Sequence, residues 1–164
     1  MAGRGLRLRV AALLAFGLGA GHALALSGKV THVSDGDTLW LRPADGSRRP
    51  VKVRLEGLDA PERCQAGGPQ ARAALESRVG GRRVFVAARA RDRHDRVIGR
   101  VRLDGEDIGA WLVDHGHAWS SRFHASPGPY AVQEARARDA RRGVFAQPGA
   151  VEPRRFRREH GPCD

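Results

Sequence analysis

Gly28-Lys29-Val30-Thr31-His32-Val33-Ser34-Asp35-Gly36-Asp37-Thr38-Leu39-Trp40-Leu41 is the stretch that decides the fold. Apolar and polar residues alternate from Lys29 to Val33 and again from Thr38 to Leu41, the period of a strand with one face buried. Asp35-Gly36 between the two runs is turn chemistry, so the stretch predicts two strands joined by a tight turn. A third alternating run, Val51 to Leu55, follows a second turn signal at Asp45-Gly46, which makes a three-strand meander.

Working outward, a helix is predicted after the Gly67-Gly68-Pro69 break. Ala71, Ala74, Leu75 and Val79 recur at three- and four-residue spacing, and Gly80-Gly81 closes the run. Two further strands, Val84 to Ala88 and Val97 to Leu103, flank the charged loop from Arg91 to Arg96, and Asp104-Gly105 ends the pair. Asp107 is placed to cap a second helix with the apolar face Ile108, Trp111 and Leu112, ending at Gly116. A third helix, rich in alanine and arginine, is expected from Pro129 to Arg142, stopping at Gly143. The segment 147–164 is rich in proline and arginine and has little periodicity, so it is expected to be disordered or loosely wrapped. The order β-β-β-α-β-β-α-α with short strands predicts an α+β domain: a small, partly open barrel with helices against it, enough for one modest core. There is no internal repeat.

The chemistry concentrates in Asp35-Gly36-Asp37-Thr38, Val53-Arg54-Leu55 and Asp59-Ala60-Pro61-Glu62. Carboxylates near strand ends make a site of hard oxygen donors, which suits Ca²⁺ or Mg²⁺ and not a metal that prefers thiolate or imidazole. Arg54 lies between them in sequence. Carboxylates holding a cation beside an arginine that forks onto phosphate meet the needs of phosphodiester cleavage: charge stabilisation and an oriented water. Taken singly, each element has a purely structural reading: Asp35-Gly36 an ordinary turn, Asp59 to Glu62 a helix start, Arg54 an outward strand residue.

Together, from residue 28 to about 146, these motifs resemble the staphylococcal nuclease (thermonuclease) family. That family combines an Asp-Gly-Asp-Thr turn, an arginine on the next strand, an Asp-x-Pro-Glu segment and a second arginine in an Asp-x-x-x-Arg loop. The resemblance implies a five-stranded OB-fold barrel with about three helices packed on it, over residues 26–146. It further implies a Ca²⁺ site from Asp37, Asp59 and the backbone carbonyl of Ala60, and a catalytic set of Arg54, Glu62 and Arg96. Glu62 would act as general base or position the water, and the two arginines would neutralise charge on the phosphate oxygens. The implied reaction is endonucleolytic hydrolysis of DNA and RNA, with single-stranded regions favoured, leaving 3′-phosphate and 5′-hydroxyl ends, by a monomer.

The chain departs from that pattern in two places. His94-Asp95 stands where the family often has Tyr-Gly; Asp95 tolerates left-handed backbone, but its carboxylate is positioned to pair with Arg96. The substrate-side tyrosines are absent from Trp119-Ser120-Ser121-Arg122-Phe123-His124, which leaves Phe123 or His124 for base stacking. His115, His117 and His124 are expected to be surface or helix-end residues and not a metal site. Core packing is the expected role of Trp40 and Trp111, while Trp119 falls in a loop.

The first 25 residues read as a cleaved signal peptide. Arg4, Arg7 and Arg9 form a basic start, Val10 to Ala20 is uncharged and apolar, and Ala23-Leu24-Ala25 offers small residues for cleavage after Ala25. The apolar stretch is too short to span a hydrocarbon core of about 30 Å. The protein is therefore expected to be secreted or periplasmic, with no stable membrane insertion after cleavage. Net charge is +11 for the chain and +8 once the leader, with its three arginines and no acid, is removed. Such a surface favours polyanions. The alternative function is a non-catalytic module of the same barrel that binds nucleic acid or another polyanion. Cys64 and Cys163 are the two cysteines, in no zinc-binding pattern, and export predicts a disulfide between them; free thiols or an intermolecular bond are the alternatives.

Overall fold

The computed structural model describes residues 24–146, 148–161 and 163. The expected signal peptide lies outside the described residues, save that Leu24 and Ala25 begin the first strand, opposite Ala88 and Ala87. Strands β1 (Leu24–Asp35), β2 (Thr38–Pro43), β3 (Val51–Leu55), β5 (Arg83–Arg91) and β6 (Val97–Leu103) form the barrel. Short pieces accompany it: β4 (Leu58–Asp59) pairs with β8 (Trp119–Ser120), and β7 (Glu106–Asp107) turns back to pair antiparallel with the end of β6. The barrel runs β3-β2-β1-β5-β6 and closes because β3 also pairs, in parallel, with β6. Register shifts in β1 between Val30 and His32, and between Val33 and Asp35, add the local twist that bends this long strand around the barrel.

The alternation read from the sequence is what fills the interior. Val30, Val33, Leu39, Leu41, Val53, Leu55, Val84, Val86, Val101 and Leu103 point inward and are buried. Helix α1 (Gly68–Val79) covers β1 with Ala71, Leu75 and Val79, and α2 (Ile108–Asp114) contributes Ile108, Leu112 and Val113. Asp107 caps α2 as expected, its Oδ1 accepting the Ala110 N–H at 3.1 Å. Helix α3 (Ala131–Asp139) is shorter than its sequence pattern because Arg141, at φ 50°, turns the chain into left-handed backbone before Gly143.

Two expectations are corrected. The tail is neither disordered nor loose: it forms helix α4 (Pro153–His160), a fourth helix beyond the three expected. It is tied back by a disulfide between Cys64 and Cys163, with Cα atoms 5.8 Å apart, as the cysteine count predicted. Trp111 packs against the main core as expected, but Trp40 is only half-buried at its edge, while Trp119, expected in a loop, is 2% exposed. Trp119 belongs to a second small core with Ala137 and Phe145, meeting the Phe145 ring edge-on at 5.2 Å. Gly36 lies in the β1–β2 turn as read, and a further reason requires glycine there. A Cβ there would lie 2.6 Å from the Cβ of Ala71 and 2.8 Å from that of Ala60, so the glycine lets the turn touch α1. Among the described residues no helix is long and apolar enough to cross a membrane.

Candidate active site

Sheet register assembles the sequence-predicted residues. Thr38 on β2 pairs with Arg54 on β3, which sets Asp37, just before β2, beside the arginine. Arg54 in turn pairs with Ile98 on β6, which brings the loop ending at Arg96 to the same end of the barrel. The chain leaving β3 passes Gly57 into β4, delivering Asp59, and the loop 60–67 leads into α1 with Glu62 on it. Asp37, Arg54, Ala60, Glu62 and Arg96 line one cleft of about 1010 Å³ with Lys52, so residues from four separate chain segments face a common space.

Arg54 is the bridge within this group. One guanidinium nitrogen lies 2.9 Å from Asp37 Oδ2 and the other 3.2 Å from Asp59 Oδ1. Burial would lower its pKa, but the carboxylates of Asp37, Asp59 and Asp35 outweigh that and hold it above its ordinary value. Asp37 is 5% exposed and accepts the Thr38 hydroxyl at 2.8 Å. Burial dominates its titration, pushing the carboxyl up to about 6 against the pull of Arg54, with Asp35 adding to the rise.

Arg96 is held apart from these carboxylates. Its Nε and a terminal nitrogen donate to Asp92 Oδ2 at 2.7 Å, and its backbone N–H donates to Asp92 Oδ1 at 3.0 Å. Partial burial opposes ionisation of Asp92, yet the hydrogen bonds from Arg96 and the His94 backbone hold its carboxyl down at about 2. Asp95 adopts φ 58°, the left-handed backbone anticipated for it. Its carboxylate pairs with Arg91 at 2.8 Å and not with Arg96, so the pairing expected from the His94-Asp95 departure is replaced by one with Asp92.

Three residues of the site went unassigned in the sequence. Asp92 was visible only as the first position of the Asp-x-x-x-Arg loop. Gln65, buried at 5% exposure, accepts the Glu62 N–H on its Oε1 at 3.1 Å and donates from its Nε2 to the Val151 carbonyl at 2.6 Å, joining the Glu62 loop to the tail. Arg157, on the Pro- and Arg-rich tail, grips carboxylates. Its guanidinium reaches Asp59 at 3.1 and 2.9 Å and Glu62 Oε1 at 2.6 Å. These hydrogen bonds, those to Asp59 foremost, raise its pKa.

The oxygen-only donors Asp37 and Asp59 face each other across a single guanidinium, and Ala60 lines the same cleft, a donor chemistry that fits a hard divalent cation completed by water. Among the described residues no three His, Cys, Asp or Glu side chains are grouped to hold a metal on their own. His115 and His117 stack on Trp111 at 4.3 and 5.8 Å, the surface role expected of them. Phe123, 76% exposed, meets the His124 ring edge-on at 4.1 Å.

With the geometry established, comparison with known proteins fixes its lineage. Residues 52–147 match the model of the family described as staphylococcal nuclease homologue. The chain is 39% identical to Protein ParB of Escherichia coli, over 93% of this chain and 91% of that protein. It is 33% identical to an uncharacterized endonuclease of Escherichia coli, over 78% and 82% of the two chains. A micrococcal nuclease of Shigella flexneri is 32% identical over 80% of each. The matched segment runs from β3 to the end of the second core and so carries Arg54, Asp59, Glu62 and Arg96, and on these grounds the chain belongs to the staphylococcal nuclease homologue family and is a nuclease.

Proposed function

We propose that this chain is an exported, Ca²⁺-dependent endonuclease that hydrolyses phosphodiester bonds of DNA and RNA, leaving 3′-phosphate and 5′-hydroxyl ends. The observation that carries this reading is the shared cleft, in which Arg54 from β3 and Arg96 from the loop before β6 approach a space bordered by Asp37 and Glu62. In this reading Asp37, Asp59 and the carbonyl of Ala60 hold the cation, which when bound supplies charge neutralisation at the scissile phosphate and a more acidic water. Glu62 orients the attacking water or takes its proton. Arg54 and Arg96 place N–H donors on the phosphate oxygens where negative charge grows. Asp92 keeps the Arg96 fork aimed, and Lys52 adds positive charge to the cleft. The disulfide supports an oxidising destination for the chain.

The direct test uses the purified protein with single-stranded DNA and with RNA, in Ca²⁺, in Zn²⁺ and in excess chelator. Cleavage is expected in Ca²⁺ alone, with ends that become ligatable only after a phosphatase removes the 3′-phosphate. Undiminished cleavage in chelator would overturn the metal dependence, and 5′-phosphate ends would overturn the bond assignment.

Ca²⁺ affinity is expected to depend on pH through Asp37. Its carboxyl is raised from 3.8 to about 6 in the cation-free protein, so it is ionised above that pH and protonated below it. A ligand carboxylate must give up its proton, so affinity falls as pH drops through about 6. Calorimetric titrations at pH 7.5 and pH 5 check this, and equal affinities would remove Asp37 from the ligand set.

A further inference from the structure

Arg157 has no counterpart among the motif residues, and its position is built with care. Helix α4 is anchored at both ends and along one side: Val151 accepts from Gln65, Pro153 is buried, and Cys163 is bonded to Cys64, two residues after Glu62. The Cys64 N–H also points at Cys163 Sγ, 3.0 Å away. Phe156, stacked on His160 at 4.4 Å, lines an apolar cavity of about 660 Å³ shared with Trp119 and Val144. Arg154 and Arg158 are exposed, and Arg155 pairs with Glu159 one turn on. Of these tail arginines, Arg157 is the one the helix delivers into the cleft.

What it meets there is decisive. Asp59 Oδ1 accepts from Arg54 at 3.2 Å and from Arg157 at 3.1 Å, and Oδ2 accepts from Arg157 at 2.9 Å. An ionised carboxylate offers about four lone-pair sites. Three are taken by guanidinium, and any cation arriving at Asp59 meets a positive charge on both oxygens. The same Arg157 nitrogen that binds Asp59 Oδ1 also holds Glu62 Oε1.

We infer that Arg157 is a resident counter-cation of the calcium site, occupying Asp59 and Glu62 in the resting enzyme, and that Ca²⁺ binding and this tail latch exclude each other. This rests on the calcium-site reading above. Because Ca²⁺ and Arg157 compete for the same carboxylates, removing the latch tightens Ca²⁺ binding, and Ca²⁺ in turn loosens the latch. The tail thereby sets the concentration of Ca²⁺ at which the nuclease turns on, and the disulfide keeps the latch within reach.

The test is calorimetric titration of the intact, disulfide-bonded protein with Ca²⁺, comparing wild type, Arg157→Gln and Arg157→Lys. Arg157→Gln is expected to bind Ca²⁺ roughly tenfold tighter or more, and Arg157→Lys, which keeps charge without the fork, to fall between. The Ca²⁺ concentration for half-maximal cleavage should fall in parallel. An independent readout on wild type avoids any dependence on a variant: amide hydrogen exchange across residues 153–160 should speed up when Ca²⁺ is added. Equal or weaker Ca²⁺ binding by Arg157→Gln, or α4 exchange that slows with Ca²⁺, overturns the latch while leaving the calcium site standing. Absence of Ca²⁺ binding by both wild type and Arg157→Gln overturns the calcium site itself, and the latch with it.

Discussion

Arg54→Lys is expected to slow phosphodiester cleavage by a factor on the order of 10² or more while leaving the fold intact. The reason is geometric. Arg54 spans two carboxylates with two different nitrogens, 2.9 Å to Asp37 and 3.2 Å to Asp59, from a strand position opposite Thr38. A lysine supplies one compact charge and reaches one partner at a time, so the spacing between the two acids is no longer fixed. It also lacks the planar pair of donors that a phosphate accepts in bidentate fashion. The barrel itself does not depend on the head group, because Val53 and Leu55, on either side of Arg54, carry the packing. Single-turnover cleavage at saturating Ca²⁺, read with a thermal melt of the same sample, separates the two effects. A wild-type rate for Arg54→Lys would show that the family mapping fails at this position, and a large loss of melting temperature would show a structural role instead.

Replacing both cysteines by serine is expected to lower the stability of the native state by roughly 4 to 5 kcal/mol, less whatever strain the bond carries. Cys64 and Cys163 are separated by 99 positions, so the bond closes a long loop, from just after β4 to the end of the tail, and strongly restricts the unfolded chain. Urea denaturation of the double variant against wild type measures the difference, and reductant added to wild type should reproduce it. The loss is not confined to the unfolded state. Without the bond, α4 is held by the Gln65 hydrogen bond to Val151, by the buried Pro153 and by the Arg157 contacts. Hydrogen exchange in the tail should therefore rise more than in the barrel strands. An unchanged denaturation midpoint would remove the bond from the stability of this fold.

Much of the barrel was legible because its determinants are local. Alternation over four or five residues specifies a strand with one buried face, and Asp-Gly pairs specify where the chain turns back. The helix over Gly68–Val79 and the Asp107 cap follow from spacing and from one hydrogen bond within four residues. The candidate site was legible for a related reason. Asp37, Arg54, Asp59 and Glu62 fall within a short stretch whose strand register carries them together, so their order in sequence nearly determines their order in space.

The remainder depended on contacts between distant segments, which leave no period in the sequence. The parallel pairing of β3 with β6, which closes the barrel and aligns Arg54 with the Arg96 loop, joins strands more than forty residues apart in sequence. Trp119 is buried because Ala137 and Phe145 return to cover it, although its own neighbours read as loop. Gly36 is needed for its lack of a Cβ against Ala60 and Ala71, not for a special backbone angle. The tail shows the division most sharply. Pro153–His160 carries a charge at five of its eight positions and too little apolar surface to announce a helix, and it is ordered because a disulfide, a buried glutamine and one arginine on two carboxylates bind it to the loop between β4 and α1. The sequence by itself determined the barrel and the acids and arginines on it; tertiary structure alone decided which tail arginine reaches them, because that choice is made by attachments 86 to 99 residues away and not by the residues around it.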